Sequence, residues 1–132
     1  MRYIYKTLRK TLIEDPDINS LIKNRFYPQR SNIVNTTFPC VTFNFAGGTP
    51  DQDYYPIDRI LVEMNFCSKD NYDDCFILYE KIRFLINTNK FTSSDGEIFS
   101  IYEDTLPIND TIFINNEPVY ILSNTWLVKK IG

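Results

Sequence analysis

Hydrophobic positions recur along this chain with two different periods. Over residues 2–14, Ile4, Leu8 and Leu12 fall on one stripe with Tyr5 beside it, while Arg2, Lys6, Arg9 and Lys10 take the other faces. That spacing predicts an amphipathic helix. Asp15-Pro16 ends it, because the residue before a proline is pushed out of the right-handed helical region. Asp17 then reads as the cap of a short second helix, with Ile18, Leu21 and Ile22 as its apolar side. Arg25-Phe26-Tyr27-Pro28 leaves that helix as a short extended segment. From residue 40 the period changes to two. Val41, Phe43 and Phe45 alternate with Thr42 and Asn44, a strand over 40–46 that Pro39 can precede without removing a ladder donor. Gly47-Gly48-Thr49-Pro50 is expected to break this run as a hairpin turn and to open a loop through Asp51, Asp53, Tyr54, Tyr55 and Pro56. A second strand, 57–67, alternates Ile60, Val62, Met64 and Phe66 with Arg59, Leu61, Glu63 and Asn65. The two strands read as a long antiparallel hairpin.

The helical period returns over about 70–88. Tyr72, Cys75 or Phe76, Tyr79, Ile82 and Ile86 recur every three or four residues, and Leu78 and Leu85 widen that face until it can cover a sheet. Asp70 is read as the N-cap, with Asp73 and Asp74 in the first turn, where the helix dipole favours anions. Ser93-Ser94-Asp95-Gly96 is a turn, and 97–103 a third strand with Ile98 or Phe99 inward. The segment 105–118 holds a short Ile112-Phe113-Ile114 run between Pro107 and Asn115-Asn116 and reads as a brief strand or an ordered loop. The last strand is 119–130, with Tyr120, Leu122, Asn124, Trp126 and Val128 on one side. The predicted class is α+β. A largely antiparallel four- to five-stranded sheet carries one long helix, and the N-terminal helices precede it. At 132 residues the whole of 1–132 is read as a single domain.

Charge changes the picture by its unevenness. Residues 1–30 carry seven basic side chains against three acidic, and the remainder carries seven basic against fourteen acidic. A basic N-terminal face and an acidic remainder are able to complement each other between subunits. No apolar run approaches the roughly 20 residues needed to span a bilayer, and no signal-like stretch follows Met1, so synthesis in a cytoplasm is expected.

The candidate chemistry is sparse. There is no histidine, which removes the commonest general base and metal ligand and makes Ser-His-Asp or Cys-His catalysis unavailable. Cys40, Cys67 and Cys75 show no CxxC spacing and read as buried, inert thiols. The carboxylate pairs Asp51/Asp53 and Glu103/Asp104 stand at strand ends or in loops, where acidic residues are ordinary. Gly47-Gly48 lacks the Lys-Ser/Thr and the helix of a phosphate loop. No enzyme activity and no cofactor or metal are expected. A negative total charge with no RNA-reading motif argues against sequence-specific nucleic-acid binding.

One stretch carries a resemblance. Leu21, Arg25-Phe26-Tyr27-Pro28, then Phe38-Pro39, Val41 and Phe43, then a strand ending Asn65-Phe66-Cys67 and a helix from Asp70, follow an N-terminal helix. Over roughly residues 1–90 this order resembles the tail-terminator, or tail-completion, family of tailed bacteriophages. The resemblance implies a structural virion protein, assembled in the host cytoplasm. Such proteins form rings, commonly hexamers, at the head-proximal end of the tail, end tube polymerisation and join the tail to the head connector. The implied partners are further copies of the chain, the tail-tube protein and the head connector or head-completion protein. Genomic DNA passes through the lumen without sequence-specific binding. Subunit contacts are then expected at Arg2, Lys6, Arg9, Lys10, Arg25, Phe26, Tyr27 and Pro28, although Phe26 and Tyr27 read equally well as core residues of a structural turn. Tube or connector contacts are expected at Asp51, Asp53, Tyr54, Tyr55, Asn109, Asp110, Asn115 and Asn116. The alternatives are another head–tail joining or minor tail protein of similar fold, or a small enzyme or ligand-binding α+β domain.

Overall fold

The computed structural model describes residues 2–28, 37–49 and 57–131. Two helices open the chain, α1 (Arg2–Glu14) and α2 (Pro16–Ile22), followed by the strands β1 (Phe26–Tyr27), β2 (Cys40–Thr49) and β3 (Ile57–Ser68). The long helix α3 (Tyr72–Ile86) comes next, then β4 (Lys90–Thr92), β5 (Ile98–Glu103), β6 (Ile108–Ile114) and β7 (Glu117–Ile131). The strands form one seven-stranded sheet in the order β1-β2-β3-β7-β5-β4, with β6 paired to β7 off that path. The sheet curls into a half-barrel. The expectation of four to five strands is therefore corrected. Three strands escape the sequence pattern because they are short or lie at an edge, where a strand does not need an alternating buried side. They are β1, β4 and β6, and β1 joins β2 in parallel, with Phe26 opposite Val41 and Tyr27 opposite Thr42.

Several local readings also shift. Gly47-Gly48 is not a hairpin turn: β2 runs through it to Thr49, and its pairing with β3 slips between Phe45 and Gly47. A bulge absorbs the extra residue, and the ladder continues. The cap of α2 is Asp15 rather than Asp17, since the Asp15 carboxylate accepts from the backbone N–H groups of Asp17 and Ile18 at 3.0 and 3.1 Å. Pro16 then occupies the first helical turn, where its missing N–H costs nothing. Likewise α3 is capped by Asn71, whose side chain accepts from Asp74 N at 2.9 Å, not by Asp70. In 105–118 the strand reading holds. Asn115 and Asn116 both sit at positive φ (53° and 65°), the geometry of a two-residue turn that matches strand twist. They close a hairpin between β6 and β7.

The helices fill one side of the curled sheet. Ile4, Leu8 and Leu12 of α1, Ile18 and Ile22 of α2, and Cys75, Leu78, Tyr79, Ile82 and Ile86 of α3 are buried there. They meet Val41, Phe43, Val62, Met64, Phe66, Phe99, Ile101, Leu122, Trp126 and Val128 of the strands. Of the expected helix face, Phe76 turns out to be exposed, while Leu78 lies fully inside. On the opposite side of the sheet a smaller cluster forms from Cys40, Cys67, Val119 and Ile121, with Tyr27, Phe38, Ile112 and Ile114 against it. Beside it runs a polar ladder across three strands. Asn65 Nδ2 donates to Thr42 Oγ1 at 2.9 Å, and Ser123 Oγ donates to Asn65 Oδ1 at 2.5 Å. These groups are partnered, so β3 can be buried on both faces at this point without orphaned polar atoms.

Candidate functional site

The densest group of chemistry-bearing side chains lies between α3 and the ends of β5 and β7. Glu103 accepts a short hydrogen bond from the Tyr79 hydroxyl at Oε2. Arg83 Nε donates to its Oε1 at 3.3 Å, and Asn124 Nδ2 donates to Oε2 at 3.2 Å. Behind them Trp126 Nε1 donates to Asn124 Oδ1 at 2.8 Å, both residues being buried. Burial, reinforced by the Glu103 carboxylate, pushes the Tyr79 phenol up to about 12. A phenol held protonated and a carboxylate with both oxygens engaged inside the chain leave no group ready to act on a substrate. The network instead fixes α3 to the sheet. Cys75 behaves in the same way. Its thiol is pushed up to about 12, by burial first and then by neighbouring Cys67 and Asp74, and it donates to Tyr120 O at 3.3 Å. The three cysteines are buried and unbridged. Among the described residues no three His, Cys, Asp or Glu side chains gather as metal ligands, and no helix is long and apolar enough to cross a membrane.

The residues around the first turn divide by role. Phe26 is 1% exposed and lies in the helix-side core, stacked on Tyr5 at 5.5 Å, so it cannot serve as a subunit contact. Tyr27 points to the other side of the sheet, against the Cys40/Cys67 cluster, because consecutive strand residues alternate faces. Arg25 is half-buried and works as an internal clamp. Its Nε donates to Pro39 O at 2.9 Å, its guanidinium reaches Leu21 O at 3.3 Å, and its own carbonyl accepts from Val41 N at 3.0 Å. This ties the end of α2 to the start of β2. Arg9 reaches Asn24 O at 3.3 Å, so it too is used within the chain. Pro28 is exposed, as are Lys6 and Lys10 on α1. Arg2 begins α1.

Those two lysines border a groove of about 450 Å³ between α1 and β4, lined by Lys6, Thr7, Lys10, Thr11, Glu14 and 90–94. Lys90 adds a third ammonium at the β4 edge. This residue and the strand that carries it were not legible in the sequence, since three residues offer no periodicity.

A second feature is the rim made by β6 and its approach. Leu106, Ile108 and Phe113 are 77%, 69% and 71% exposed. Asn109, Asp110, Asn115 and Asn116 are exposed beside them. The strand is held in place by Tyr72, whose hydroxyl donates to Asp110 O at 2.9 Å, lies 2.6 Å from Thr111 Oγ1, and whose ring packs on Tyr120 at 4.9 Å. The apolar side chains are therefore presented on a fixed strand. A third exposed group, Phe76, Ile77 and Phe84, lies along the outer face of α3. Asp51, Asp53, Tyr54 and Tyr55 lie outside the described residues. No protein-family model matches the chain, and no curated protein matches it.

Proposed function

We propose that this chain is a ring-forming structural protein of a phage tail, a terminator that ends tube growth and joins tail to head. The reading is carried by where the molecule leaves apolar surface in water. Leu106, Ile108 and Phe113 project from an edge strand, not from the walls of an enclosed pocket. Exposed apolar groups on a rigid strand serve protein contact better than small-molecule chemistry. The basic face of α1 and the acidic remainder give the surface two unlike halves, which a head-to-tail contact between copies requires. In this reading the exposed hairpin tip at Asn115-Asn116 meets the tube or connector, DNA passes without base-specific contact, and the site of action is the virion neck. No catalytic step is assigned.

The test is a tube-polymerisation assay with the tail-tube protein of the same virus. Adding this chain should stop elongation and place a ring of density at one tube end in electron micrographs. Tubes that grow unchanged, with no density at either end, overturn the reading.

A further inference from the structure

The sheet finishes its edges unequally. β1 is two residues long and is followed at once by Pro28. β6 is seven residues long, has β7 as its strand partner, and carries neither lysine nor arginine. Natural sheets usually blunt such an edge with a lysine, a proline or a bulge. β6 instead shows Ile108 and Phe113 to solvent, with Leu106 just before it. Asp104 and Asp110 flank that approach and are exposed. The 104–110 segment is thus acidic and apolar at once.

The β4 edge has the complementary character. It ends the strand order and forms one wall of the groove whose other wall is α1. A strand edge facing a helix across a groove is the arrangement that accepts an extended segment as an added strand. Lys6, Lys10 and Lys90 border this one, against the single carboxylate of Glu14. Glu14 pairs with Lys10 at 4.0 Å through two largely exposed side chains, a contact that an incoming carboxylate can displace. The groove therefore selects an acidic, extended occupant.

We propose that the groove between α1 and β4 of one copy receives the 104–110 segment and the adjoining β6 edge of a second copy. The sheet then continues across the subunit boundary. The inference rests on the ring reading only in taking a second copy as the occupant. It moves Asn109 and Asp110 from the tube-facing set to the subunit boundary and leaves Asn115-Asn116 for the axial partner. Because β4 offers a three-residue ladder, the charges contribute much of the attraction, and salt weakens it over a screening length of about 8 Å at physiological ionic strength.

Charge reversal tests the pairing. Sedimentation velocity of the full chain at low ionic strength should show association that falls as salt is raised. Lys90→Glu and Asp110→Lys, each checked for an unchanged melting temperature, should each weaken association by about tenfold. Mixing the two variants should restore association between them. Reversals without effect on association, or a mixture that stays dissociated, overturn the inference. Rings that persist through both reversals overturn it while keeping the ring reading. A closed dimer abolished by the same reversals keeps the inference and overturns the ring. A wild-type chain that stays monomeric at about millimolar concentration in low salt overturns both.

Discussion

The interior around Glu103 and the rim around β6 handle their side chains in opposite ways. Inside, every polar group named has a partner from its own chain: Tyr79, Arg83 and Asn124 on Glu103, and Trp126 on Asn124. On the rim, large apolar groups stand in water on a strand that Tyr72 holds fixed. The comparison teaches that titratable density is a poor guide to function in this fold. The cluster that looks most like an active site is a fastening, and the segment with the least chemistry carries the candidate contact.

Mutations can break or sharpen that contrast. The largest effect is expected from Trp126→Ala. Removing a fully buried indole should cost about 3–5 kcal/mol in urea denaturation, and it also strips Asn124 Oδ1 of its donor. A loss below about 1 kcal/mol would mean that the interior does not hold the fold.

Alkali should act next. Cys75 and Tyr79 have folded values of about 12 against ordinary values of 9.0 and 10.0. A raised folded value gives stability that is complete below the unfolded value and is lost as pH rises through the window. Stability should therefore be flat below pH 9 and fall between about 9 and 12, by about 3 kcal/mol or more in total. Tyr79→Phe should flatten the part of that fall above pH 10, as read by denaturant titrations across the range.

Glu103→Ala comes third. It leaves Tyr79, Arg83 and Asn124 without their acceptor, at about 2–3 kcal/mol. Thermal melting with unchanged stability would show that these groups find other partners. The smallest effect on folding belongs to the rim. Phe113→Ser and Ile108→Ser should each change unfolding stability by no more than about 0.5 kcal/mol, because both side chains are already mostly in water. Both should reduce association measured by light scattering. A large drop in melting temperature from either would place the rim with the interior and erase the comparison.

Much of the interior was legible before the structure. The i, i+3/i+4 stripe Ile4-Leu8-Leu12 and the alternation Ile60-Val62-Met64-Phe66 are both buried as read. Burial imposes a period on a chain wherever one side of an element faces a core. The rim was less legible for the same reason. On β6 only Ile112 and Ile114 reach a cluster, so Ile112-Phe113-Ile114 looked like a short run with no preferred side. The role of Arg25 was likewise hidden, since an exposed contact and a clamp on Pro39 O and Leu21 O require the same side chain.

The sequence by itself determined the helices, the long β2–β3 and β7 ladders, the buried cysteines and the uneven charge, because each follows from local spacing or from counting. Only the tertiary structure decided that Phe26 is core, that Gly47-Gly48 is a bulge rather than a turn, and that β1, β4 and β6 join the sheet. It alone brought Lys6 and Lys10 beside Lys90, some eighty residues away in the chain. Edges and grooves are made by elements distant in sequence, and no periodicity within one element records which partner its far side will meet.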